Sequence, residues 1–132
     1  MTEKTIEATT TRPLGNRTID APSMVIDIPA FTRQIRSEEA WKKNDRNSIT
    51  VFKTDDLCIV LGGLHNGAEL PAHKAEGMMS IQLIEGILQV MTDDISSELH
   101  RGQMLAIHSG CNYRAVAIEE TFYLLTITGV SS

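Results

Sequence analysis

Short runs of β-prone residues, separated by turn residues, fill the chain from position 48 onward. Several of these runs contain Val, Ile, Leu, Tyr or Phe, and between them lie Gly, Asn, Asp, Ser and Glu. About nine runs follow one another at a spacing of roughly 8–12 residues, which is typical of an all-β sandwich or barrel. No helical segments separate them, so a parallel α/β sheet is not expected. The predicted strands cover residues 48–53, 57–64, 68–73, 78–84, 87–92, 95–99, 103–107, 112–118 and 122–128.

Glycine pairs and Asn-Gly steps indicate how these strands are joined. Asn66-Gly67 is a strong signal for a tight hairpin. Gly62-Gly63 lies inside an otherwise apolar run, where glycine often marks a β-bulge.

The first part of the chain has a different pattern of residues. Residues 1–22 are polar and show no periodicity, which predicts a flexible N-terminal tail before a single barrel domain over residues 23–132. Residues 24–28 form a short β-prone run that ends at Pro29, which suits an edge or terminal strand. Residues 31–43 predict one or two helical turns, with Ser37-Glu38-Glu39 resembling a helix start.

Two of the predicted strands are apolar on both faces. Residues 78–84 and 122–127 lack the alternation expected of a sheet with one face in water. Some other element must therefore cover the outer face, either the N-terminal segment or a second subunit. We favour a homodimer that packs sheet against sheet, because this arrangement removes exposed apolar patches.

Composition and charge exclude several classes of protein. The 132 residues are 42% hydrophobic and 22% charged, with a net charge of −5, the balance of a soluble globular domain. The acidic balance argues against binding to nucleic acid or to anionic membranes. The chain has no apolar run of membrane-spanning length, and its first residues lack the apolar core of a secretory signal. With Cys58 and Cys111 far apart and no CxxC pair, we expect free thiols and a cytoplasmic location.

Residues 67–86 resemble the first motif of the cupin family, G-x5-H-x-H-x3-E-x6-G. Gly67 opens the motif, His73 takes the first histidine position and Gly86 closes it. Ala75 stands at the second histidine position, and Met79 stands at the glutamate position. The order of these residues therefore matches the family while two of its ligand positions do not.

Residues 102–113 resemble the second cupin motif, G-x5-P-x-G-x2-H. Gly102 and Gly110 match, His108 stands in the place of the proline, and Tyr113 stands in the place of the last histidine. The resemblance covers residues 48–129 and implies a cupin-type double-stranded β-helix, or jelly-roll barrel, with a short N-terminal extension.

The same resemblance shows how much of the usual metal site has been replaced. Cupins generally hold iron, manganese, nickel or zinc with three histidines and one glutamate, and only His73 is left of that set. Alanine cannot bind a metal ion, and methionine is a soft ligand that suits Cu(I). We therefore expect no cofactor; the alternative is a divalent metal held by His73 together with His65 or His108.

Three functions follow from this reading. The favoured one is a metal-free cupin-like protein that binds a small molecule or a partner without catalysis. The alternatives are a metal-dependent oxygenase or isomerase built around His73, and a structural or regulatory homodimer without a ligand.

The predicted pocket residues are those that the resemblance places in or near the barrel: His73, Ala75, Met79, Ile81, Met104, His108 and Tyr113. Among them, Tyr113 would need a partner for its hydroxyl if it is buried, and His73 is the obvious one.

Overall fold

Two antiparallel sheets face each other in the computed structural model, which describes residues 4–6 and 17–129. The five-stranded sheet has the strand order β3-β4-β11-β6-β9, and the four-stranded sheet has the order β5-β10-β7-β8. These nine strands confirm the all-β prediction and lie close to the predicted positions. Their bounds are β3 Arg46–Lys53, β4 Leu57–Leu64, β5 Glu69–Lys74, β6 Met79–Glu85, β7 Ile87–Thr92, β8 Ser96–His100, β9 Met104–Ile107, β10 Asn112–Ala117 and β11 Thr121–Thr128.

One hydrophobic core lies between the two sheets. Its fully buried side chains come from both of them, because every second residue of a strand points to the same face. The five-stranded sheet contributes Leu64, Ile81 and Leu83, and the four-stranded sheet contributes Leu88 and Val90. This core holds the sheets together as a barrel.

A second hydrophobic cluster lies on the outer face of the five-stranded sheet. Helices α1 (Ile28–Ser37) and α2 (Glu39–Lys43) pack there and bury Ile35 and Trp41. Phe122 and Leu61 come from the sheet beneath them. The apolar pattern of the strands required a cover for the outer face of the five-stranded sheet. The chain's own helices therefore provide much of that cover. The homodimer stays a prediction.

Helix α1 starts earlier than the sequence pattern indicated. The side chain of Asp27 accepts a hydrogen bond from the backbone N–H of Ala30 at 3.1 Å, which is an N-cap. Pro29 lies in the first turn, where proline is tolerated because that N–H has no helical partner. The prediction of a strand over residues 24–28 is therefore wrong, whereas the predicted helical turns over residues 31–43 are confirmed.

The predicted tail is partly structured. Strand β1 (Lys4–Ile6) pairs antiparallel with β2 (Arg17–Asp20), and Arg17 donates a hydrogen bond to the carbonyl of Thr50 on β3. Ile19 on β2 is buried. Residues 4–6 and 17–20 of the predicted tail are thus in strands, while residues 1–3 and 7–16 of it lie outside the described residues.

The two glycine signals have other structural causes than those expected. Gly67 has a φ of +86°, as a tight turn requires, but the turn links the two sheets and does not close a hairpin. The pairing of β4 with β3 is regular at Gly62 and Gly63, so no bulge occurs there. Both glycines instead leave room for aromatic rings of the neighbouring strand β11. In the described part of the chain, neither helix is long and apolar enough to cross a membrane.

Candidate functional site

The strand register decides which side chains line the barrel. Met79, Ile81 and Leu83 on β6 belong to the inner core, and their neighbours Tyr123, Leu125 and Ile127 on β11 lie beside them. Residues paired across strands share a face, so the inner surface of the five-stranded sheet follows directly from this register. Gln82 lies between Ile81 and Leu83 on β6 and therefore faces away from the barrel interior.

The two ends of the barrel differ in how tightly they are packed. At one end Leu83, Leu88, Leu99 and Ala117 are almost completely enclosed. Towards the other end Ala75, Met79 and Ile107 are also buried, but several apolar side chains that touch the core are only partly buried. We call this second end the barrel mouth, and its partly buried residues are Leu70, Leu105, Cys111, Tyr113, Leu125 and Ile127. The mouth is therefore a mostly apolar surface that solvent reaches.

The four family ligand positions occupy different environments near this mouth. Ala75 and Met79 are buried, with 2% and 6% of their surfaces exposed. His73 on β5 is exposed, and it pairs in register with the half-buried Tyr113 on β10. Their rings meet edge to face with centroids 6.0 Å apart. The predicted hydrogen bond between Tyr113 and His73 is absent from this arrangement, and a ring contact takes its place.

Three further residues of the predicted set lie elsewhere or play a different role. Ile81 is fully buried in the inner core. Met104 is 56% exposed and pairs with Gln82, which puts it on the outer side of the barrel and not in the pocket. His108 is exposed in the turn before Cys111. The sequence pattern misplaced Met104 because it could not tell which face of β9 points inward.

His65 is held away from His73 by contacts at the helices. Its ring stacks on Trp41 with centroids 3.6 Å apart, and its Nε2 lies 2.8 Å from the carbonyl oxygen of Trp41. Trp41 belongs to the cluster on the outer face of the five-stranded sheet. His65 is thus part of the seam between helices and barrel.

These placements do not fit a divalent metal ion at the family position. Imidazole and carboxylate are the ligands that such ions prefer, and here only the imidazole of His73 is present among alanine, methionine and tyrosine. Over residues 4–6 and 17–129, no three His, Cys, Asp or Glu side chains come together in a way that suits a metal. The residues present are better suited to a pocket with an apolar wall and a few hydroxyl groups.

Tyr123 is a residue of the barrel interior that the sequence analysis did not single out. Only 7% of its surface is exposed, and its ring lies against Gly62 on β4, where a Cβ atom would come within 2.7 Å of the ring carbon Cε1. Burial raises the pKa of Tyr123 to about 12, and the charge of Arg46 partly opposes that shift. The phenol is therefore neutral and able to donate a hydrogen bond at physiological pH.

The hydroxyls of Tyr113 and Tyr123 have no hydrogen-bond partner among the residues that the structure describes. Among the described residues, Oδ1 of Asp20 is the side-chain atom that is fully enclosed and has no hydrogen-bond partner. The Tyr123 hydroxyl has no partner either but is not in that class, so it retains some access to solvent. Burial also raises the pKa of Tyr113, and the nearby charge of Glu76 adds to the effect. Two neutral phenols with free donors therefore lie in the barrel.

The stability of the fold is expected to fall in alkali because of Tyr123. Its folded-state pKa of about 12 lies above the ordinary value of 10.0. Between these values the unfolded chain releases the phenolic proton while the folded chain keeps it, so the free energy of unfolding decreases as pH rises. We expect a loss of about 2–3 kcal/mol from this group by about pH 12. Denaturant unfolding at stepped pH, with phenolate absorbance as a second signal, measures it.

Tyr123→Phe should remove most of that alkaline loss, whereas Tyr113→Phe should leave most of it in place. An unchanged slope of stability against pH in Tyr123→Phe would show that Tyr123 does not carry the effect.

Comparison with known proteins gives a clear result for the fold. No family model and no curated protein matches the chain, but many solved structures do. A cupin-2 domain protein from Shewanella frigidimarina is 18% identical, with a TM-score of 0.64 over 79% of this chain and 94% of that chain. The cupin domain of Cnp3 from Schizosaccharomyces pombe is 16% identical, with a TM-score of 0.60 over 96% of this chain and 87% of that chain. The chain has the cupin fold.

A third similar structure illustrates how little the fold says about function. A conserved protein of unknown function from Streptococcus pyogenes is 18% identical, with a TM-score of 0.65 over 86% of this chain and 94% of that chain. One fold hosts many functions, so the cupin fold by itself does not assign a role to this chain.

Proposed function

We propose that this cupin domain binds a small amphipathic molecule in the barrel mouth and does not catalyse a reaction on it. The observation that carries the proposal is the combination of a partly exposed apolar lining with phenol hydroxyls that lack partners. Ligand pockets are commonly apolar with a small number of polar groups that orient the ligand, and barrel mouths are frequent places for them.

The chemistry at the family ligand positions supports binding over metal-dependent catalysis. Ala75 and Met79 replace a histidine and the glutamate, so the usual set of hard and borderline ligands is gone. The alternative set of His73, His65 and His108 is disfavoured, since His65 stacks on Trp41 at the outer cluster.

The uneven packing of the barrel supports a ligand over a purely structural role. A ligand-free structural barrel has no need of an apolar surface left open to solvent, because burying that surface would stabilise the fold by about 25 cal/mol per Å². Here the end around Leu83 and Leu88 is closed, while Leu105, Leu125 and Ile127 stay partly exposed. A homodimer is compatible with this function and remains a separate proposal.

Binding can be tested with ethylnaphthalene, a fluorescent hydrocarbon with no hydrogen-bonding group. We expect saturable binding to the purified full chain at a single site, with a rise in melting temperature as the ligand concentration increases. Cys111→Phe should weaken this binding by about 10-fold or more, because the larger ring fills the mouth.

The matched control is Met104→Phe, which places the same aromatic ring on the outer side of the barrel. This variant should bind ethylnaphthalene as the unchanged chain does. If both variants bind the hydrocarbon as tightly as the unchanged chain does, the barrel mouth is not the binding site.

We also expect added divalent metal ions to leave the melting temperature nearly unchanged. A specific ligand of the folded state raises stability by mass action, and one histidine supplies too little affinity for that. Calorimetry with near-stoichiometric iron, nickel or zinc measures the effect, and His73→Ala is the control. A rise of several degrees that disappears in His73→Ala would favour the metal-dependent enzyme instead.

A further inference from the structure

We propose that the hydroxyl of Tyr123 is the hydrogen-bond donor that selects the ligand, and that it selects molecules with a neutral oxygen acceptor such as a ketone or amide carbonyl. This inference rests on the proposed function, because it assigns the chemistry of the ligand that the barrel mouth would bind.

The ring of Tyr123 belongs to the interior of the barrel. Tyr123 lies on the inner face of β11 in line with Leu125 and Ile127, which belong to the mouth. Its partners across the two neighbouring strands are Gly62 and Leu83. The ring lies against Gly62, which has no side chain, so the hydroxyl extends over the inner surface of β4. The ring therefore lies at the level of Leu83 in the closed end, one inner position along β11 from Leu125 of the mouth.

The hydrogen bonding of the Tyr123 hydroxyl supports the same role. Tyr123 is 7% exposed, and its hydroxyl makes no hydrogen bond to any residue that the structure describes. Buried polar groups are normally hydrogen-bonded, and leaving one without a partner is costly. The Tyr123 hydroxyl keeps only slight access to solvent, so a ligand oxygen that reaches it would supply an acceptor that no described residue provides.

The charges around the two tyrosines favour a neutral ligand. The positive charge of Arg46 acts on Tyr123. The Arg46 guanidinium already donates two hydrogen bonds to the carboxylate of Asp45, from Nε to Oδ1 at 2.9 Å and from Nη2 to Oδ2 at 3.2 Å. Glu76 adds negative charge near Tyr113. An anionic ligand would lose its hydration in the barrel and find the guanidinium already neutralised, which is unfavourable. A neutral carbonyl avoids this cost.

The phenol also has the proton needed to act as a donor. Since burial holds the pKa of Tyr123 near 12, the group stays protonated at every physiological pH. A neutral phenol both donates and accepts, but a carbonyl ligand can use only the donor. A ketone or amide is therefore the matching class.

The experiment uses three fluorescent probes of similar shape with the purified full chain: acetylnaphthalene, ethylnaphthalene and naphthoate. They present a ketone, no polar group and a carboxylate. We expect acetylnaphthalene to bind about 3- to 10-fold more tightly than ethylnaphthalene, the range of one neutral hydrogen bond. Naphthoate should bind more weakly than the ketone.

Tyr123→Phe removes the hydroxyl and keeps the ring, so the ketone and the hydrocarbon should then bind with nearly equal affinity. The matched variant is Tyr113→Phe, which deletes the other unpartnered hydroxyl and should keep most of the preference. Bound acetylnaphthalene should also raise the alkaline titration midpoint of Tyr123, because accepting its hydrogen bond stabilises the neutral phenol.

The possible failures are distinguishable. If ethylnaphthalene binds in the mouth but the ketone has no advantage, or keeps its advantage in Tyr123→Phe, the proposed function stands and this inference is wrong. A preference lost only in Tyr113→Phe, or tighter binding of naphthoate than of the ketone, also overturns it. If none of the three probes binds, the proposed function fails and the inference fails with it.

Discussion

Phe122→Ala is expected to reduce the free energy of unfolding by about 3–5 kcal/mol, the range for removing a large aromatic side chain from a packed core. Phe122 is fully buried on the outer face of β11. Its ring centroid lies 5.3 Å from that of Trp41, and the guanidinium carbon of Arg36 lies 4.4 Å from the same ring centroid. The substitution therefore leaves a cavity and removes an aromatic contact and a cation–π contact at once.

The position of Arg36 makes this loss larger than the cavity alone would predict. Arg36 on α1 binds Glu85 at 2.6 Å and Glu120 at 3.1 Å, and the same guanidinium lies over the ring of Phe122. The ring supports the side chain in this position, so its removal also weakens the attachment of α1 to the barrel. Because such a loss approaches the whole stability of an ordinary domain, the variant should be marginally folded.

Denaturant unfolding of the two forms measures the difference, and the fluorescence of Trp41, the single tryptophan of the chain, reports on the seam itself. Leu124→Ala is the matched control, since Leu124 lies on the same face of β11 but is only partly buried. It should lose much less stability and leave the tryptophan emission nearly unchanged. Equal losses in the two variants would show that the Phe122 contacts do not dominate this seam.

Gly86→Ala is expected to destabilise the fold by roughly 3 kcal/mol or more, for two reasons that add. The φ of Gly86 is +95°, a conformation that L-residues with a Cβ atom rarely adopt. A Cβ atom there would also collide with the backbone carbonyl oxygen of Glu120 and come within 2.6 Å of Oγ1 of Thr121. Since the first obstacle is backbone, the turn between β6 and β7 has to move.

Gly102→Ala separates the two contributions. Its φ is +85°, but a Cβ atom would meet nothing within 4 Å. It should therefore lose only the conformational cost of about 1–2 kcal/mol. Chemical denaturation of both variants tests this, and a Gly86→Ala variant no less stable than Gly102→Ala would contradict the steric argument.

The sequence alone indicated the nine barrel strands and the cupin fold, whereas the strand over residues 24–28 and the hairpin at Asn66-Gly67 were wrong. Strand periods of two residues and glycines at turns are local properties, so they can be recognised without knowing what packs against them. The spacing of Gly67, His73, Gly86, Gly102 and Gly110 was sufficient to indicate the cupin barrel, which the comparisons support. The same spacing places only His73 among the four cupin ligand positions, and the loss of a metal site stays a prediction.

The tertiary structure decided which side chains meet. Met104 was placed in the pocket, but the face on which a residue of a short strand lies depends on its partner, here Gln82. Gly62 was taken for a bulge, because a strand glycine indicates either a bulge or a close approach, and only the pairing with Tyr123 distinguishes the two. For the same reason Tyr123 was missed: its burial and its unpartnered hydroxyl arise from contacts between distant strands, which no local pattern records.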